Sequence, residues 1–189
     1  MNLENKKYQI IYADPPWKYQ NGGVPQGGVD AQYETMTLSE IKNVWSDYEI
    51  GSIADDAVLL LWATFPQLQE ALEVIKAWGF TYKTLGFSWL KVNKDGSPFF
   101  GVGYYAKSNQ EVCLLGVKGK AHSLVKSNKV SSVIVTPKTR HSEKPAIVRD
   151  KILQLFGDLP RIELFARQKT EGWDVWGDEV ENDIKPTLK

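Results

Sequence analysis

Ala57-Val58-Leu59-Leu60-Leu61-Trp62-Ala63 is an unbroken apolar run of strand length. A strand with one wet face alternates polar and apolar side chains, and a strand that does not alternate has to be covered on both faces. The run therefore calls for a sheet flanked by helices, and the rest of the chain supplies both. Further strands are predicted over Ile10 to Ala13, Tyr82 to Val92, Val112 to Val117, Val130 to Val135 and Arg161 to Ala166. Asn93-Lys94-Asp95-Gly96 reads as a turn. Thr37 and Glu40 form a capping-box pattern that starts a helix at Leu38. After Pro66, the residues Leu68, Ala71, Leu72, Ile75 and Trp78 recur at helical spacing and Gly79 suits a C-cap. Pro145 opens another helix with Ile147, Val148, Ile152, Leu155 and Phe156 inward and Gly157 as its stop. Strands alternating with helices predict an α/β fold with a doubly wound sheet. No repeat, low-complexity tract or linker divides the chain, so residues 1–189 read as a single domain.

The one cysteine, Cys113, lies within an apolar run and reads as a small buried hydrophobe; with only two histidines, a Cys/His zinc site is excluded. The N-terminus has neither a signal-peptide pattern nor a long apolar span, which predicts a soluble, cytoplasmic protein without membrane contact. Net charge is zero, against a generally basic nucleic-acid binder. The distribution is uneven. From Val112 to His141 there is no acidic residue, whereas Lys118, Lys120, Lys126, Lys129, Lys138 and Arg140 all occur. Such a segment suits phosphate contact and equally suits a solvated loop and strand edge. Glu171 to Asp183 is acidic in turn.

Asp14-Pro15-Pro16-Trp17 directly follows the first strand. Open α/β sheets bind ligands at the carboxyl ends of their strands. There Asp14 offers an acceptor, the prolines offer rigid, outward-pointing carbonyls, and Trp17 offers a stacking face. Together they can grip a planar ring bearing an NH₂ group, or else they simply end a strand. The Gly- and Pro-rich stretch Lys18 to Gln32 behind them reads as a closing loop. Four later segments carry weaker signals. Gly101-Val102-Gly103-Tyr104-Tyr105-Ala106 fits a dinucleotide fingerprint, but a strand follows instead of a helix, so the match is coincidental. In His141-Ser142-Glu143-Lys144-Pro145 a cation precedes a helix start, where anions are favoured. Glu163 lies within the strand of Arg161 to Arg167 and needs a partner, either an arginine or a ligand. Asp178-Glu179 follows a glycine and could accept hydrogen bonds from a ribose diol, as acidic residues do in nucleotide folds.

Taken in order, these segments resemble the DPPW-type N6-adenine methyltransferases, the family of the eukaryotic mRNA adenosine methyltransferase and of bacterial and phage DNA adenine methyltransferases. The likeness also takes in Tyr33-Glu34-Thr35-Met36, Leu61-Trp62-Ala63-Thr64, Trp78-Gly79-Phe80, Trp89-Leu90-Lys91 and Glu111 to Gly119. It implies a Rossmann-like methyltransferase sheet in permuted order, catalytic motif first and cofactor strand last, with S-adenosyl-L-methionine as cofactor. By that likeness Asp14, Pro15, Pro16 and Trp17 form the catalytic motif. Asp14, Lys144, Glu163, Arg167, Asp178 and Glu179 hold the cofactor, and Trp17, Tyr19, Tyr33 and Lys107 meet the substrate. The implied partner is nucleic acid, DNA before RNA, in a bacterial or phage-infected cell, with association into homo- or hetero-oligomers left open. The chain departs from the family in three places. Only Met1 to Gln9 precede the first strand, where members carry an acidic motif for the cofactor's adenine; Asp178 replaces an asparagine; and Gln168-Lys169-Thr170 replace a His-Asn pair. The competing expectations are RNA adenine or another planar amine as substrate, and a non-catalytic subunit of the same fold that only binds nucleic acid.

Overall fold

The protein is described from a computed structural model covering residues 6–18, 35–48, 50–101, 103, 105–138 and 143–183. Its elements in chain order are β1 (Lys7–Ala13), α1 (Leu38–Asp47), β2 (Ser52–Ala63), α2 (Leu68–Ala77), β3 (Thr81–Val92), β4 (Gln110–Lys118), β5 (Val133–Pro137), α3 (Ile147–Phe156), β6 (Arg161–Leu164) and β7 (Asp174–Trp176). The strands form one seven-stranded sheet in the order β5-β3-β4-β2-β1-β6-β7. Only β4 is antiparallel to its neighbours, while the β1–β2, β1–β6, β6–β7 and β3–β5 pairs are all parallel.

The apolar run of β2 behaves as its composition requires. Leu59, Leu61 and Ala63 join one core cluster with Ile41 and Val44 of α1 and Ala71, Val74 and Ile75 of α2. Val58, Leu60 and Trp62 join a second cluster with Val148, Ile152 and Phe156 of α3. Strand β1 divides its side chains in the same way, Ile11 and Ala13 to the first cluster and Ile10 and Tyr12 to the second. The sheet is thus covered on both faces, as an α/β arrangement demands. A bulge between Tyr8 and Ile10 changes the pairing from Tyr8↔Ile53 to Ile10↔Val58. Tyr8 consequently faces the first cluster although it lies two residues from Ile10.

The capping box stands as read: the Glu40 carboxylate accepts from the Thr37 backbone N–H at 2.7 Å and the Thr37 hydroxyl accepts from the Glu40 N–H at 3.3 Å. Gly157 closes α3 at φ +79, a conformation that disfavours any side chain. Four readings need correction. Ile147, expected inward, and Leu72, counted in the helical apolar pattern, are 46% and 38% exposed, because Val148, Ile152 and Phe156 of α3 and Ala71, Val74 and Ile75 of α2 are the residues that face the sheet. Strand β5 starts at Val133 instead of Val130, since Ser131 folds back and its hydroxyl accepts the Val133 N–H at 3.2 Å. Strand β6 ends at Leu164, because Phe165 takes a left-handed backbone at φ 60. The acid-free segment does not form one basic surface. Lys118 and Lys120 lie where β4 ends, at the edge of the sheet opposite the parallel strand ends, and Lys126 and Lys129 precede β5 there, whereas Lys138 follows β5 at the other edge.

Core and surface leucines should respond very differently to truncation. Leu60→Ala, at a fully buried site, is expected to cost about 2–5 kcal/mol, whereas Leu72→Ala on the exposed side of α2 should stay within about 1 kcal/mol. Urea unfolding of the two variants measures the contrast.

Candidate active site

Because β4 alone is reversed, the carboxyl ends of the other six strands and the start of β4 meet at one edge. Asp14 emerges there from the middle of the sheet, one residue beyond Ala13, which lies level with Leu61 of β2 and Leu164 of β6. The Pro-Pro turn supplies no N–H of its own. Its carbonyls are occupied from within: Trp17 N–H donates to Pro15 O and Met36 N–H to Pro16 O, both at 2.9 Å. The carbonyls expected to point outward thus tie the turn to Met36, each retaining a second lone pair. Trp17, expected as a stacking face, is only 7% exposed; its indole N–H donates to Trp62 O at 3.2 Å. It props the turn from the core side.

The Lys144 ammonium reaches across from the residues before α3. It donates to Asp14 Oδ2 at 2.7 Å, pairs with Glu111 Oε2 at 3.2 Å and stands 5.6 Å from the centroid of Trp62. Lys91 holds the other Glu111 oxygen and lies 4.8 Å over Trp89. Two carboxylates and two ammonium groups therefore share one corner, with the Lys144 and Glu111 side chains 9% and 11% exposed and that of Asp14 26% exposed. Burial raises the Asp14 pKa above the ordinary carboxylate range against the pull of Lys144. Burial also works to raise Glu111, but Lys144 and Lys91 on either side outweigh it and leave its pKa lowered. Burial alone would lower Lys144; its two carboxylates win and raise it.

Glu163 of β6 finds its partner in Arg149 of α3. Nε donates to Oε2 at 2.7 Å and Nη2 to Oε1 at 2.6 Å, a bidentate pair. The guanidinium lies 5.8 Å from the Tyr12 ring centroid, and the Tyr12 hydroxyl accepts the Trp62 indole N–H at 2.8 Å. Asp14, Lys144, Arg149, Glu163, Phe165 and Arg167 line a narrow cleft of about 30 Å³. Arg167 Nε meets Glu179 Oε1 at 3.3 Å, and the neighbouring Asp178 borders a separate recess beside α1.

The structure thus gathers Asp14, Lys144, Glu163 and Arg167 around one cleft, with Glu179 at its rim. Asp178 is turned to the recess. Lys107 is exposed on the connection between β3 and β4, at the same edge of the sheet, where β2 alone separates β4 from β1. Tyr19, Tyr33 and His141 lie outside the described residues. The Gly101 to Ala106 segment leads into β4, as its context suggested. Sequence reasoning gave no role to Glu111, Lys91, Arg149 or Tyr12. The available signal was a charge bordering an apolar run, which Glu111 shows at the head of Val112 to Val117.

Arg149→Met should leave Glu163 buried and unpaired and cost about 3–5 kcal/mol. Burial already raises the Glu163 pKa and Arg149 restrains it, so the variant raises it further. Its native state then keeps a proton that the unfolded chain releases. Stability of the variant accordingly falls as pH rises from the ordinary carboxylate range through the raised native pKa, and lies nearest to wild type in acid. Denaturant unfolding across a pH series reads this out; adding Glu163→Gln should recover part of the loss.

The MT-A70 family profile matches residues 8–179. The chain is 35% identical to the Type II methyltransferase M.MunI of a Mycoplasma species, over 94% of this chain and 80% of that protein. It is 28% identical to the N6-methyladenosine RNA methyltransferase MTA1 of Pyricularia oryzae, over 92% of this chain and 47% of the relative. With the human N(6)-adenine-specific methyltransferase METTL4 it shares 26% identity over 93% of this chain and 38% of the relative. Family profile and relatives cover the sheet and the cleft together, and the chain belongs to the MT-A70 family of methyltransferases.

Proposed function

We propose that the chain transfers a methyl group from S-adenosyl-L-methionine to the exocyclic N6 amine of adenine in nucleic acid, with DNA as the polymer. The observation that carries this reading is the Asp14–Lys144 pair at the head of the cleft. Paired opposite charges are what the α-ammonium and α-carboxylate of a methionine group require, and Arg167 with Glu179 supplies polar partners for a ribose. The donor set fits the cofactor, with Lys144 and Asp14 at its amino-acid end, Glu163 as a wall held by Arg149, and Arg167, Asp178 and Glu179 towards its ribose. When bound, the cofactor supplies an electrophilic methyl group on a sulfonium. Similarity to a type II methyltransferase over most of the chain supports DNA before RNA. We place the activity in the cytoplasm and treat residues 1–189 as a single catalytic domain, with Asp14-Pro15-Pro16-Trp17 as its centre.

An adenine amine is a weak nucleophile because its lone pair is delocalised into the ring. Lys144 holds Oδ2 of Asp14, which leaves Oδ1 to accept an N–H of the amine and turn the nitrogen lone pair towards the methyl group. The second lone pair of the Pro15 carbonyl provides an alternative acceptor on the same turn. Alignment of this kind supplies much of the rate. Asp14, with its raised pKa, also serves as a sink for the proton that the amine sheds after transfer. The connection from β3 to β4 reaches the same edge with Phe100 68% exposed, Tyr105 fully exposed and Lys107 beside them. Aromatic faces next to a cation suit an unpaired strand.

Incubation with labelled cofactor and matched DNA and RNA oligonucleotides, followed by mass spectrometry of the nucleosides, tests the assignment; N6-methyladenine in the DNA is expected. Asp14→Ala should abolish transfer with the fold intact, and Asp14→Asn should lower it by about 10²–10³. In wild type, transfer should fall on the acid side with a midpoint above the ordinary carboxylate range, as Asp14 is protonated. Replacing Phe100 and Tyr105 together by Ala should raise KM for the oligonucleotide and leave cofactor affinity unchanged. Binding of nucleic acid with no calorimetric heat from the cofactor would instead mark a non-catalytic subunit.

A further inference from the structure

The segment Trp62 to Gln67 leads from β2 into α2 and is fastened to the Pro-Pro turn at two points. The Trp17 indole N–H donates to Trp62 O at 3.2 Å, and the Gln67 side-chain amide, in a residue only 5% exposed, donates to Lys18 O at 3.4 Å. Between these points the backbone makes a single tight turn, Phe65–Gln67. Gln67 N–H donates to Thr64 O at 3.0 Å, Leu68 N–H donates to Phe65 O, and Pro66 fixes its own φ. The backbone is held throughout, yet the Phe65 ring is 51% exposed.

A lone apolar side chain on a surface needs no explanation. The distribution of such rings here does. Among the described residues Phe65, Tyr82, Phe100 and Tyr105 are the exposed aromatic side chains. Tyr82 stands at the start of β3, on the far edge of the sheet, whereas the other three gather at the edge that carries Asp14. They follow the strand order outward from β1: Phe65 after β2, Tyr105 on the approach to β4 and Phe100 beyond β3. Lys138, after β5, ends the row with its ammonium 4.4 Å from the Phe99 ring centroid. The connection from β3 to β4 is kept near the strand ends, since Phe99 N–H donates to Lys91 O at 3.3 Å and Gly101 N–H to Ser108 O at 2.8 Å. The cleft lies on the opposite flank of Asp14, towards β6.

We infer that Phe65 stacks on the nucleotide next to the target adenine and holds the polymer in register while the target base turns to Asp14. The inference rests on the function proposed above and adds to it a contact and a direction: from Asp14 the polymer runs across the ends of β2 and β4 towards β5. Phe65 leaves the strand beside that of Asp14, and adjacent strands lie about 4.8 Å apart. The base beside the target is therefore the first that the ring meets. A base drawn out of its stack leaves the neighbour with an uncovered face. A ring on a fixed backbone covers that face at little cost in ordering. Because every base has a π-face, Phe65 sets position without reading sequence.

Steady-state methylation of a DNA oligonucleotide with one target adenine tests this. Phe65→Ala and Phe65→Leu should each raise KM for the oligonucleotide about fivefold or more and leave KM for S-adenosylmethionine unchanged. Phe65→Trp should restore the wild-type value, and Tyr82→Ala, which removes the ring at the far edge, should match wild type. Two further oligonucleotides carry an abasic site on the 5′ or the 3′ side of the target. One of them should raise KM for wild type and leave Phe65→Ala no worse, because the ring and its base form one contact. Unfolding midpoints near wild type identify the folded variants. Wild-type KM in both Phe65→Ala and Phe65→Leu, an equal rise in Tyr82→Ala, or additive effects with both abasic oligonucleotides overturns this inference alone. A defect that disappears at high protein concentration also overturns it and assigns the ring to contact with a second copy. Absence of methyl transfer by wild type to DNA and RNA alike overturns the proposed function and this inference with it.

Discussion

A carboxylate at the end of a buried strand is tolerable only with a cation beside it, and the cation needs neighbours as well. Asp14 and Glu111 share Lys144, and Glu111 also holds Lys91, so each charge is matched within a few ångströms. Removing Lys144 takes from Asp14 the cation it pairs with in a poorly solvated corner, and removing Glu111 does the same to Lys91. The surrounding architecture follows from keeping this group together: β1 delivers Asp14, β3 and β4 deliver Lys91 and Glu111, and the turn before α3 delivers Lys144.

The reversed direction of β4 is what makes the set possible. Parallel strands bring only their last residues to the functional edge, whereas β4 brings its first. Glu111 can then stand level with Trp89 and near Lys144, although no other strand begins at that edge. The same edge carries Phe165, Glu179 and the connection from β3 to β4, which lie on opposite flanks of Asp14.

Much of this was legible in the sequence. The uninterrupted run Ala57 to Ala63 demanded a sheet covered twice, and the two faces of β2 meet the helices accordingly. Asp14 and Arg167 stood out at strand ends, Glu163 within an apolar strand and Lys144 before a helix start, and the family resemblance joined them into one set. What stayed hidden depended on tertiary partners. Nothing local pairs Arg149 with Glu163 fourteen residues away, or turns the Trp17 indole towards the Trp62 carbonyl. The basic run was misleading for a related reason, because position along the chain does not reveal which edge of the sheet a lysine reaches.

The mutual neutrality of the corner has a further consequence, for ionic strength. Asp14 and Glu111 balance Lys91 and Lys144, so the group itself carries no net charge. Screening acts weakly on such short, enclosed pairs. The pairs around Asp14 should therefore be nearly indifferent to added salt, while the engagement of a phosphate backbone that the proposed function requires weakens steeply with it. Under the proposed function, salt then becomes a means of freeing the protein of polymer while the pairs around Asp14 stay closed.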